Sequence, residues 1–218
     1  HRDLRRQRQM CIRDRGIIFE KTISIDENYM FEISQSVING SSKNIKLYPY
    51  GNLTRNGQPD TIGFYILHEG VVGMHDGELI ETNYGDIPDL SREEVTREIQ
   101  QNGWIGFTDK YWMSTLIPRA GQTFKMDQKY YSSSDNFEVW MRLPPITVNK
   151  NERASVKTNL FVGAKEVNTI KFYQNSLDIE NFVDSVDWGW FFYLTKPIFF
   201  LLDWFNSYTH NMGWSIIL

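Results

Sequence analysis

Cysteine is almost missing from this chain: its 218 residues contain one, Cys11. A single thiol can close no internal disulfide and build no cysteine-based metal site, so an apolar core has to hold the fold together. A nucleophile elbow (G-x-S-x-G) and a phosphate-binding glycine loop are absent as well, which removes the usual signatures of acyl transfer and nucleotide binding. Basic residues are scarce outside one place. The net charge is −4, and the first fifteen residues, "HRDLRRQRQMCIRDR", hold six Arg against two Asp, or +4. Residues 16–218 carry 17 basic and 25 acidic side chains, or −8. Nucleic acid is therefore a poor partner, because phosphate neutralisation needs clustered Lys and Arg. The basic leader has no stacking aromatics, and no apolar segment of signal-peptide type follows its arginines. Residues 1–15 read as a non-native leader, and the fold is expected to start at Gly16.

What the chain has in quantity is alternation and aromatics. From Gly16 the apolar period is two: Ile17, Phe19, Ile23 and Ile25 share one face, and Tyr29, Phe31, Ile33 and Val37 share another beyond a turn at Asp26–Asn28. That is the pattern of an antiparallel hairpin with one buried face. Asp76-Gly77 suits a type I′ turn between two further strands, because both central residues need positive φ. "GWIGFTDKYWMSTLIP", "GQTFKMDQKYY", "NFEVWMRLPPITV" and "ERASVKTNLFVG" continue in the same way, whereas "GNLTRNGQPD" reads as a turn-rich connection. The least sheet-like part is 83–103, where Asp89 or Ser91 is placed to cap a helical turn with Glu93 and Glu94 near its positive end. A helix is expected from about Lys165 to Tyr173. Many short strands between turn signals predict an all-β sandwich rather than a parallel α/β sheet.

Candidate chemistry is thin. His68 and His75 lie seven apart across a predicted hairpin, with Glu69, Asp76 and Glu78 nearby, and imidazole with carboxylate is a usual proton-transfer or metal pairing. The competing reading makes them polar residues of turns and exposed faces. The block around Trp104, Phe107, Tyr111 and Trp112 reads either as core or as an exposed apolar groove for a partner or peptide.

The last thirty or so residues are different. "VDWGWFFYLTKPIFFLLDWF", Val186 to Phe205, holds three Trp and five Phe, with Thr195, Lys196, Asp203, Asn206 and Ser207 on one helical stripe. Lys196, Pro197 and Asp203 interrupt it too strongly for a spanning helix. It suits a helix lying at a membrane interface, where Trp and Tyr keep their rings apolar and their polar atoms wet. Pro197 either kinks this helix or lies in its first turn. The turn after it, and "GWSIIL" beyond, fit a chain entering a bilayer.

The segment from Val186 to Leu218 closely resembles the join between periplasmic domain and membrane core in the YidC/Oxa/Alb family of membrane protein insertases. "GWIGFTDKYWMSTLIP" and "LFVGAKE" resemble two internal blocks of that family in the right order, so the resemblance spans Gly16 to Leu218. It implies a periplasmic antiparallel β-supersandwich of mutarotase-like shape over residues 16–183. An amphipathic interfacial helix and turn follow over 184–210, and the start of a transmembrane helix over 211–218. It further implies a bacterial inner-membrane protein that assists insertion and folding of nascent membrane proteins, alone or with the Sec translocon and its accessory subunits. No enzyme activity, cofactor or metal is implied. The family's first membrane span would precede Gly16, and its groove arginine would follow Leu218. Trp188, Trp190, Phe191, Phe192, Phe199, Phe200, Trp204 and Phe205 are the expected membrane-interface contacts. Tyr111, Trp112, Trp104 and Phe107 are the candidate partner or peptide contacts. Two alternatives stay open: a mutarotase-like sugar-active enzyme using His68 or His75 with Glu69 or Glu78, and a carbohydrate-binding sandwich.

Overall fold

The computed structural model describes residues 6–12, 16–59, 68–90, 95–189 and 191–217. A large sheet takes β1 (Arg6–Ile12), β2 (Ile17–Ile25), β3 (Met30–Asn39), β6 (Gly70–His75), β7 (Glu78–Asn83), β9 (Gly103–Thr108), β10 (Trp112–Ile117) and β14 (Arg153–Ala164). Their spatial order is β1-β2-β3-β14-β10-β9-β6-β7. β1, within the segment read as a leader, pairs with β2 from Arg6↔Ile23 to Ile12↔Ile17. A smaller sheet, ordered β5-β12-β11-β8, takes β5 (Tyr50–Asn56), β8 (Thr96–Ile99), β11 (Phe124–Tyr131) and β12 (Asn136–Arg142). β4 (Ile45–Leu47) and β13 (Ile146–Val148) form a short ribbon. Three helices follow the sandwich: α1 (Val167–Ser176), α2 (Phe192–Thr209) and α3 (Met212–Ile217).

The large sheet is buried on both faces near its middle. Toward the small sheet, Val71, Ile105, Phe107 and Leu116 meet Phe124, Met126, Phe137 and Val139. On the opposite face Val72, Met74, Trp104, Met113 and Phe161 pack under Ile170 and Tyr173 of α1 and under Phe182 and Val183. This explains two departures from simple alternation. By alternation Phe161 falls with Ser155, Lys157 and Asn159, yet it is wholly buried because α1 covers that face. Met30 is buried while Tyr29, placed on the apolar face by its period, is exposed with φ 68°.

Two expectations about local structure are corrected. Residues 51–56, read as a connection, belong with Tyr50 to β5, which pairs with β12 along its whole length from Tyr50↔Arg142 to Asn56↔Asn136. Only Leu53 among its side chains is a strong apolar anchor, so backbone pairing rather than local pattern makes the strand. Thr96–Ile99, assigned to the helical segment, is likewise a strand, paired with β11. Among the described residues of that segment, Ile87–Asp89 form a 3-10 turn whose N-cap residue Asp86 makes no side-chain cap bond, and Val95 is helical. Ser91, Glu93 and Glu94 lie outside the described residues, as do residues 61–67.

The predicted turns are present. Asp26 accepts the amides of Asn28 and Met30 at 2.9 Å, and Tyr173 donates its hydroxyl to the same carboxylate at 2.7 Å. The first hairpin is thereby tied to α1. Asp76 and Gly77 both have positive φ, 46° and 94°. The Asp76 carboxylate accepts the amides of Gln100, Gln101 and Asn102. Desolvation raises its pKa, but these donors and His75 outweigh that and leave it below the ordinary value. A lowered native pKa stabilises the fold above the unfolded value of about 3.9 and is lost as pH falls through and below it. Asp76→Asn keeps a residue tolerant of positive φ and removes the charge. It should cost less than about 1 kcal/mol near neutrality, because the carboxylate is exposed and screened. Thermal melts should show this gap closing below about pH 3.9; a gap independent of pH would contradict the assignment.

Candidate functional site

The chain leaves the sandwich through a hydrogen-bonded joint. Asn181, in the left-handed region at φ 49°, opens a 3-10 turn, Phe182–Ser185, which Gln174 ties to α1 by accepting the Val183 amide at 2.9 Å. Asp187 then accepts the amide of His68 at 2.8 Å through one oxygen and that of Gly189 at 2.8 Å through the other. The Gly189 bond closes a tight turn at φ 70°, a conformation that suits glycine. Trp188 donates its indole N–H to the Val183 carbonyl at 3.1 Å, and Thr195 donates to the Trp188 carbonyl at 2.6 Å.

α2 meets the joint and α1 by its more polar side. Lys196 pairs with Asp184 at 2.6 Å, Phe200 packs with Trp188 beside the second core, and the Lys171 ammonium sits 4.4 Å from the centre of the Phe200 ring. Asp203 and Asn206 are half-buried on the same side. At 3.6 residues per turn, Tyr193, Leu194, Ile198, Leu201, Trp204 and Tyr208 fall within an arc of roughly 140°. All six are exposed, and no residue of α2 is fully buried. Of the polar stripe read from the sequence, Lys196, Asp203 and Asn206 are half-buried while Thr195 and Ser207 are exposed, and the opposite face is apolar. Pro197 sits in the second turn, inside the helix, which continues through it. His210, at φ 49°, ends α2, and Asn211 starts α3 by accepting the Gly213 amide at 2.9 Å. Among the described residues no helix is long and apolar enough to cross a membrane.

The expected interface residues divide. Phe191, Phe192 and Trp204 are exposed, whereas Trp188, Phe199, Phe200 and Phe205 are half-buried. Trp190 lies outside the described residues. The sequence reading misses Tyr193, Leu194, Ile198, Leu201 and Tyr208, although plotting the segment at 100° per residue places them on one face. The candidate contact block divides as well. Trp104 and Phe107 are 0% and 4% exposed, so both are core residues and not partner contacts. Tyr111 and Trp112, at 63% and 62%, project from the β9–β10 turn.

Beside that turn a cavity of about 250 Å³ is lined by Lys110, Tyr111, Ala164, Lys165, Val186 and Asp187, among others. Burial lowers the Lys165 pKa, opposed by the charges of Asp187, Asp109, Glu69 and Glu81. Lys165 donates to Thr108 at 2.9 Å. The candidate acid–base cluster does not assemble. His68 precedes β6 and bonds Asn83 and the Val71 carbonyl, while His75 is at the far end of that strand beside Glu78, roughly 20 Å away at strand rise. Among the described residues no group of three His, Cys, Asp or Glu is placed to hold a metal ion.

Fold and site together define an antiparallel β-sandwich that passes its chain, through a bonded joint, to an external helix with an apolar outward face. The sandwich superposes on part of an alpha-galactosidase from Lactobacillus brevis with TM-score 0.52 and 12% identity, over 74% of this chain and 24% of that one, a likeness of fold alone. A galactose mutarotase related enzyme from Lactobacillus acidophilus superposes with TM-score 0.44 and 9% identity, over 72% and 67% of the two chains. A family model described as the YidC periplasmic domain matches residues 9–201, and the chain belongs to that family. Relatives named membrane protein insertase YidC agree: that of Dinoroseobacter shibae is 49% identical over 210 residues, and that of Roseobacter denitrificans 50% over 209. Each match covers 93% of this chain and 34% of the relative, so the chain spans about a third of the length of these proteins.

Proposed function

We propose that this chain is the periplasmic part of a membrane protein insertase, a protein that helps nascent membrane proteins enter and fold in the bacterial inner membrane without covalent chemistry. The observation that carries the reading is the outward arc of α2, six apolar side chains in solvent immediately after the bonded joint. An exposed patch of this kind marks an interaction surface, and its Tyr and Trp content suits the headgroup layer. In this reading α2 lies along the membrane, α3 begins a spanning helix, and the acidic sandwich stands in the periplasm, open to the Sec translocon and its accessory subunits. A grip on anionic lipid by charge alone is disfavoured, since residues 16–218 carry −8.

The test is an insertion assay on the full-length protein containing this chain. Replacing Ile198 and Leu201 by Asp removes two apolar anchors of about 1.5–3 kcal/mol each. Insertion of a membrane protein substrate should fall about tenfold or more. Undiminished insertion at equal protein abundance would count against a role for this face.

A further inference from the structure

The sandwich end nearest the joint presents a second cluster of aromatic side chains, on convex turns. Strand register places two turns at that end. β10 begins at Trp112 opposite Ala164, where β14 leaves for α1, and the first hairpin turn reaches the same end, with Met30 opposite Phe161 and the Val162 amide bonded to the Tyr29 carbonyl at 3.2 Å. The cavity shared by Lys110, Tyr111, Val186 and Asp187 brings the β9–β10 turn beside the start of α2.

The backbone of that turn is held firmly. Asp109 donates its amide to the Trp112 carbonyl at 2.9 Å and pairs with Arg55 at 2.5 Å, and the Lys165 amide bonds the Tyr111 carbonyl at 2.9 Å. Its side chains are nevertheless free of the core: Lys110 is exposed, as are Tyr111, Trp112 and, on the neighbouring turn, Tyr29. The Lys110 ammonium lies 4.9 Å from the Tyr111 ring centre and has no carboxylate partner among the described residues. Tyr29 holds φ 68°, a conformation disfavoured for a bulky residue, and is 57% exposed.

We infer that this turn cluster, Tyr29, Lys110, Tyr111 and Trp112, is a second contact with the phospholipid headgroup layer, which with α2 sets the sandwich upright on the membrane. The inference rests on the reading of α2 as membrane-facing. A lipid surface is the favoured occupant for three reasons. A peptide that adds to the sheet needs a free strand edge, and here β9 and β10 are paired on both sides. Trp and Tyr on a convex tip match the flat, half-polar headgroup layer. An unpaired lysine beside them complements lipid phosphate.

The test uses the full chain with Cys11→Ser and one dye-labelled cysteine, introduced as Lys110→Cys, Leu201→Cys or, at the opposite end, Lys150→Cys. Vesicles of phosphatidylethanolamine and phosphatidylglycerol are added, with brominated lipid as quencher. Blue-shifted, quenched emission at 110 and 201 but not at 150 is expected. A response at 201 alone overturns the turn contact and leaves the α2 reading standing; no response at any position overturns both. In the parent chain, Tyr111→Ser with Trp112→Ser should weaken vesicle partitioning about tenfold, equivalent to about 1.4 kcal/mol. Unchanged partitioning by a folded variant also overturns the inference.

Discussion

Removing residues 187–207 abolishes association of this domain with phospholipid vesicles. The deletion takes out the outward face of α2, including Leu194, Ile198, Leu201 and Trp204, all more than half exposed. Each aliphatic or aromatic side chain moved from water into the interface is worth about 1.5–3 kcal/mol at full burial, and with about half of each left to bury the four contribute on the order of 3–6 kcal/mol. That is comparable with the roughly 5.5 kcal/mol that separates mostly bound from mostly free. Flotation on a sucrose gradient reads the result directly. Because the deletion also breaks the Asp187 joint, the pair Ile198→Asp and Leu201→Asp is the fold-preserving companion, and both should lose binding. Raising the salt should change little, since the attraction is apolar and the domain is acidic. Flotation of the deleted chain at the level of the parent would refute the membrane-facing assignment.

Trp104→Ala lowers stability by about 3–5 kcal/mol, while Trp112→Ala changes it by no more than about 0.5 kcal/mol. The two tryptophans are eight residues apart in one aromatic block, and their environments are opposite. Trp104 is fully buried, meets Phe182 edge to face at 5.4 Å between centroids, and donates its indole N–H to the Glu180 carbonyl at 2.9 Å. Its removal leaves a large cavity and strips a carbonyl of its donor. It also loosens the segment 179–183, which anchors the joint to the core, so α2 should become more mobile as the fold weakens. Chemical denaturation with equilibrium fits checks both values, and equal losses at the two positions would contradict the burial assignments.

The helix and the block differ in how far their sequences could be read. In the block, Trp104, Ile105 and Phe107 are consecutive or alternate on a strand buried on both faces, so a period of two cannot separate core from surface. Which aromatics reach solvent depended on the β9–β10 turn ending the strand before Tyr111. In α2 the period of 3.6 was legible, and so was the polar stripe of Lys196, Asp203 and Asn206. Its direction was not. Asp184, twelve residues before Lys196 and on a separate turn, draws the lysine toward the sandwich and so turns the apolar arc outward. β5 shows the same limit in the sheet: "GNLTRN" has the composition of a loop, and only the unpaired edge of β12 makes it a strand.

The sequence by itself determined the antiparallel character of the domain, its Asp-Gly turn, the existence of α1 and α2, and the membership in a family carried by the "VDWGW" join. These depend on short-range rules: alternation, turn dihedrals, helical period and local motif. The tertiary structure alone decided that Trp104 and Phe107 are core, that His68 and His75 stand at opposite ends of a strand, and which face of α2 meets solvent. Each of those outcomes is set by groups brought together from distant parts of the chain, such as α1 over Phe161 or Asp184 beside Lys196, and no local pattern encodes what lies across a sheet or a joint.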